Sequence, residues 1–88
     1  MENKETQFAS SEKLDCRGHF CPVPILMTEE KIATLKPGDI LQVEFTDRGA
    51  KPDLLAWCKA TGHELLGFRQ ERIVGFAFIK KVEVKRTR

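Results

Sequence analysis

Three cysteines and two histidines are the side chains of this 88-residue sequence best suited to nucleophilic or metal chemistry. Two of the cysteines share one stretch, "LDCRGHFCPVPIL", in which Cys21 is followed directly by Pro22 and then by Pro24. Proline is tolerated in the first turn of a helix, because the N–H it lacks would have no intrahelical partner there. A helix that begins at Pro22 therefore holds Cys21 at its N-terminal flank. There it lies beside the backbone N–H groups of Val23 and Ile25, at the positive end of the helix dipole. A free thiol titrates near ~8.5, and a helix N-terminus lowers that by one to several units. Arg17 and His19, just upstream, bring positive charge to the same loop. The chemistry offered is nucleophilic, with Cys21 reactive at neutral pH. The alternative is a small core hydrophobe, as most free cysteines are, but a place between a glycine-containing loop and a helix start favours exposure.

Cys16 and Cys58 are read differently. Cys16 follows Leu14 at strand spacing, so it is either a buried, inert residue or a resolving thiol that forms a transient disulfide with Cys21. Cys58 lies one turn after Leu54 in a helical pattern and is expected in the core. Zinc is the other way to use three cysteines with His19 and His63. Two short ligand pairs at metal-binding spacing are absent, so no metal and no cofactor is expected. His63 is read as a polar residue near a helix C-terminus.

The elements that must position Cys21 follow from periodicity. The run "EKLDCR" makes a short strand from Glu12, broken by Gly18. From Pro22 to about Lys36, Ile25, Thr28, Ile32 and Leu35 fall at three- and four-residue steps, with Glu29, Glu30 and Lys31 on the wet side, and "KPGD" ends the helix. "ILQVEFT", Ile40 to Thr46, alternates, with Leu41, Val43 and Phe45 on one face and Gln42 and Glu44 on the other. A second helix is expected from Pro52 to Gly62. Two strands follow, joined tightly around Glu71 to Ile73, with Val74, Phe76 and Phe78 expected to alternate inward on the last. Strand, helix, strand, helix, strand, strand is an α/β (α+β) arrangement. Its simplest form is a two-layer sandwich, with two helices packed on one face of a four-stranded mixed sheet.

Composition narrows the function. Hydrophobic residues are 41% and charged residues 32%, ordinary for one small globular domain. The expected division is a polar, flexible leader over 1–11, one domain over 12–84 and a basic tail over 85–88. A net charge of +2 is too small for a nucleic-acid footprint, and the basic residues of "IKKVEVKRTR" read as a solvated edge and tail or as a patch that docks an acidic partner. Neither a signal peptide nor a membrane segment is apparent, so the protein is expected in the cytoplasm, where cysteines stay reduced.

The same residues resemble the opening of the TusA/SirA-like sulfur-carrier family. Its signature is a strand ending in Asp-x-x-Gly, two residues, and then Cys-Pro-x-Pro at the start of the first helix. Here these are Asp15, Gly18, Cys21, Pro22 and Pro24. The resemblance extends over roughly residues 13 to 84, through "LKPGDILQVEFTD" and "DLLAWCKATGHELL". It implies a βαβαββ fold, like the C-terminal domain of the third bacterial initiation factor. It also implies a carrier that accepts sulfane sulfur as a persulfide on Cys21 and passes it to a partner. Asp15, Arg17 and Gly18 would shape the loop presenting the thiol, and Pro22 and Pro24 would fix the helix start. Implied partners are a desulfurase or rhodanese-like donor and a DsrE-like acceptor, serving transfer-RNA thiolation, sulfur metabolism or thiosulfate use, in the last case with a transporter. The sequence departs from the transfer-RNA branch, which usually has Leu-Arg before Cys-Pro-Glu-Pro; His19, Phe20 and Val23 stand at those places. Two further readings need no persulfide: a partner-binding or regulatory module using the open sheet face and basic end, and a Cys16–Cys21 redox switch.

Overall fold

In the computed structural model, residues 10–83 are described. The expected leader and basic tail lie largely or wholly outside them. The elements are β1 Glu12–Cys16, α1 Val23–Ile32, β2 Ile40–Phe45, α2 Ala50–Thr61, β3 Glu64–Glu71 and β4 Val74–Lys80. The sheet order is β1-β2-β4-β3, with β1 and β2 parallel and the other pairs antiparallel. Both helices cover one face, in the expected two-layer α+β arrangement with a mixed four-stranded sheet. The core between the layers includes Cys16, Ile32, Leu41, Val43, Phe45, Leu54, Cys58, Ala77 and Ile79.

Local chemistry explains most boundaries. α1 stops at Ile32, before the expected Lys36, because its last turns tighten: the Thr34 and Leu35 N–H groups donate to the carbonyls of Lys31 and Ile32 at 3.0 and 3.1 Å. The Thr34 hydroxyl also donates to the Lys31 carbonyl at 2.7 Å. Leu35 still packs on the core. α2 begins two residues before Pro52, which still lies in the first turn, where its missing N–H leaves no gap. Gly62 ends α2 with φ 91°, a left-handed conformation suited to glycine, and its N–H donates to the Cys58 carbonyl.

One expectation is corrected. Val74, Phe76 and Phe78 do not point toward the helices. In register with β2, Gly75 faces Phe45, Ala77 faces Val43 and Ile79 faces Leu41, so these three occupy the helix side. The reason is space: a Cβ on Gly75 would stand 2.5 Å from the Phe45 ring, which only glycine admits. Phe76 lies on the other face, where the Arg69 guanidinium stacks over its ring at 4.4 Å. Phe78 is buried on that same face.

Candidate functional site

Parallel pairing brings the C-terminal ends of β1 and β2 to one pole, so the loops that follow them meet there. At the end of β1, Asp15 folds the chain over: its carboxylate accepts the Arg17 backbone N–H at 3.0 Å and the Arg17 guanidinium at 2.8 and 2.9 Å. Those bonds hold Asp15 well below the usual carboxylate range. Gly18 follows with φ 84° and open space where a Cβ would stand, so backbone conformation rather than crowding calls for glycine. Its N–H donates to the Thr46 hydroxyl at 2.9 Å, tying the loop to the end of β2.

The chain then reaches Cys21, whose backbone N–H donates to the Asp47 carboxylate at 2.9 Å. Asp47 also accepts the Gly49 N–H at 3.3 Å. The Cys21 thiol is exposed and donates to Oδ2 of Asp53, in the first turn of α2, at 2.6 Å. Pro22, joined to Cys21 by a cis peptide bond, stands at the N-cap, and α1 proper starts at Val23 with Pro24 in its first turn. Beside Cys21 in the chain and along α1, Phe20 (71% exposed), Val23 (37%) and Leu26 (54%) leave apolar surface in solvent at three-residue spacing.

The electrostatics reverse the expected activation. The Val23 N–H donates to the Phe20 carbonyl at 2.9 Å and the Ile25 N–H to the Pro22 carbonyl at 3.1 Å. Neither of the two amides expected beside the sulfur is free for it. The nearby charges are carboxylates. The bond to Asp53, burial and the fields of Asp53 and Asp47 all raise the Cys21 thiol above its ordinary value. Arg17 is turned to Asp15 and, at 3.8 Å, to Glu44. The charge of His19 likewise acts on Asp15.

The other expected residues are placed elsewhere. Cys16 has no exposed surface, and burial pushes its thiol up to about 11. Its Sγ lies 4.0 Å from the Pro24 carbonyl, so it packs under the start of α1 rather than standing beside Cys21 as a resolving thiol at the surface. Cys58 is also in the core, its thiol pushed up to about 11 by burial. His63 lies at the opposite pole, accepting the Val82 N–H on Nδ1 at 3.1 Å and tilted over the Trp57 ring. It lines a cleft there of about 650 Å³ that contains no cysteine. Among the described residues, no group of three or more His, Cys, Asp or Glu side chains is placed to hold a metal ion. Asp47 and Asp53 are site residues that the sequence reading misses. Their signal is nonetheless available: in a β-α-β unit whose strands pair in parallel, polar residues after the second strand lie next to the loop after the first.

Comparison with known proteins agrees with this geometry. The family model described as Sulfurtransferase TusA matches residues 12–81. The chain is 43% identical over 68 residues to YrkF of Bacillus subtilis (strain 168), a match covering 77% of this chain and 37% of that longer protein. It therefore spans little more than a third of YrkF. It is 35% identical over 69 residues to the sulfur carrier protein TusA of Pseudomonas syringae pv. syringae (strain B728a), covering 78% of this chain and 82% of that one. In fold it is similar to the crystal structure of a SirA-like protein from Desulfitobacterium hafniense, with a TM-score of 0.72 at 19% identity, over 82% of this chain and 99% of that one. With the Cys-Pro-x-Pro helix start, the Asp15–Gly18 loop and the β1-β2-β4-β3 sheet in place, the chain belongs to the TusA sulfurtransferase family of sulfur carriers.

Proposed function

We propose that Cys21 is the carrier atom of a sulfur relay: it accepts sulfane sulfur from a donor protein as a persulfide and yields the outer sulfur to a partner's thiolate. The observation that carries this is the division among the three cysteines. Cys21 is exposed on a loop held at both ends, and Cys16 and Cys58 are buried. Relay chemistry needs a sulfur that two successive partners can reach, and a thiol on a rigid element meets that need without a cofactor. Asp15, Arg17 and Gly18 shape the loop, and Pro22 and Pro24 set the start of α1. The exposed Phe20, Val23 and Leu26 offer the docking partner apolar surface around the thiol. A desulfurase or rhodanese-like donor and a DsrE-like acceptor fit this role, working in the cytoplasm in transfer-RNA thiolation, sulfur metabolism or thiosulfate use. Among the described residues, no helix is long and apolar enough to cross a membrane.

The test is mass spectrometry of the intact protein. Reduced protein incubated with a polysulfide gains one sulfur atom that a thiol reductant removes, and Cys21→Ser does not. Equal loading of wild type and Cys21→Ser, or none on wild type, overturns the reading.

A further inference from the structure

Most features of the thiol pole serve to present Cys21, but the Asp53 contact does something else. A carboxylate 2.6 Å from Sγ accepts the thiol's own proton, and Asp47 holds the backbone N–H of the same residue. The Val23 and Ile25 amides are spent on the carbonyls of Phe20 and Pro22, so neither is free to stabilise a negative charge on the sulfur. Arg17, on the β1–α1 loop, is paired with Asp15, and His19 is exposed in the same loop. Arg48 from the β2–α2 loop, Lys51 from the first turn of α2 and Arg72 from the β3–β4 turn line a cleft that Asp47 also lines and Cys21 does not.

We propose that Asp53 is a latch on Cys21: in the free protein it holds the sulfur as a thiol, and a cationic side chain of the sulfur donor releases it by pairing with Asp53. The proposal rests on Cys21 being the carrier, and it assigns Asp53 as a positioning residue that makes sulfur transfer depend on docking. Asp53 sits in the first turn of α2 and is only partly buried, so an incoming guanidinium or ammonium can reach it. Once Asp53 is paired, the thiol proton passes to solvent and the Cys21 thiolate attacks the outer sulfur of the donor's R–S–SH. The new Cys21 S–S bond forms as the donor's S–S bond breaks, the electron pair leaves on R–S⁻, and solvent protonates that thiolate. One sulfur–sulfur bond replaces another, so no oxidant or reductant is consumed. A thiol latched in this way is also spared alkylation and oxidation between encounters, since the thiolate is the reactive form.

Alkylation of Cys21 by iodoacetamide, followed against pH by mass spectrometry, tests the latch without reference to sulfur transfer. Asp53→Asn removes the charge and Asp53→Lys places a cation at the site. Reactivity at neutral pH is expected to rise in the order wild type, Asp53→Asn, Asp53→Lys, with the midpoint of the profile falling in step and about tenfold more thiolate for each pH unit of that fall. Superimposable profiles, or the reverse order, overturn the latch. Circular dichroism identifies a variant that has not folded, and the other variant then decides the outcome. The cationic trigger is tested with persulfidated peptides whose cysteine is flanked by arginine or by glutamate. Wild type is expected to take sulfur several-fold faster from the arginine peptide, with most of that preference lost in Asp53→Asn. Equal preference in both proteins overturns the trigger. Parallel polysulfide loading of Cys21→Ser separates the two ideas: equal loading there defeats the carrier role, and the alkylation order still judges the latch.

Discussion

Cys16 and Cys21 are five residues apart, and the fold gives them opposite surroundings. Cys16 ends a strand, has no exposed surface and packs under the first turn of α1. Cys21 stands at the head of that same helix, exposed, with carboxylates from the β2–α2 loop and from the first turn of α2 as its polar neighbours. Both thiols are held above their ordinary value, for different reasons. At Cys16 burial disfavours the thiolate; at Cys21 an acceptor disfavours it. A buried thiol can be released only by opening the core, whereas an acceptor can be neutralised by one side chain from outside. The difference between Cys16 and Cys21 therefore lies in how the thiol is kept protonated, and not in whether it is.

The largest way to break this comparison is differential labelling. With a small alkylating reagent on the native protein, Cys21 is expected to react, while Cys16 and Cys58 react only after denaturation. The ratio of rates is about a thousandfold or more, the scale set by the opening of a folded core. Labelling of native Cys16 at a rate near that of Cys21 refutes its burial. Next in size is the cost of substitution. Cys16→Ser buries a hydroxyl at a site with one distant acceptor and is expected to lower unfolding stability by about 1–3 kcal/mol. Cys21→Ser, at an exposed position, is expected to leave stability close to that of wild type. Urea titrations measure both, and equal costs would erase the distinction.

A smaller effect is read from pH. The Cys16 and Cys58 thiols are raised to about 11 in the fold against an ordinary value of 9.0. Between those values the unfolded chain has released protons that the folded chain keeps, so stability is full below about pH 9 and falls as pH rises toward 11. Urea midpoints across that window are expected to decline in wild type and to decline less in a Cys16→Ala, Cys58→Ala variant; parallel declines would assign the effect to other groups. Smallest is Arg17→Ala. It removes an exposed pair with Asp15 and is expected to shift the urea midpoint only slightly, by an amount that shrinks as salt is added. A larger or salt-independent loss would mean that the loop depends on Arg17 more than its exposure implies.

Much of the scaffold is legible in the sequence because it is local. The strand from Glu12, the helix start at the prolines and the glycine stop at Gly62 each follow from residues a few positions apart. What is not legible comes from across the sheet or from another loop. The face of β4 misleads because Phe76 and Phe78 are the obvious apolar residues, while the close approach of Phe45 demands Gly75 opposite it. The acidity of Cys21 misleads for a similar reason. The dipole argument takes the Val23 and Ile25 amides as free, and the residue that decides the thiol's state lies 32 positions later. Charge partners at that separation are visible only once parallel pairing of β1 and β2 is assumed.

One consequence follows from the sheet register. Ser11 donates its N–H to the Ile40 carbonyl at 2.7 Å, and Ile40 in turn pairs with Lys80, so the chain enters β1 and leaves β4 at the same end of the sheet, with β2 between. Phe45 and Asp47 are at the far end of those strands, together with Cys21. A tether fused before residue 11 or after residue 81 would thus hang from one end of the domain like a handle, leaving the opposite tip, with Cys21, unobstructed.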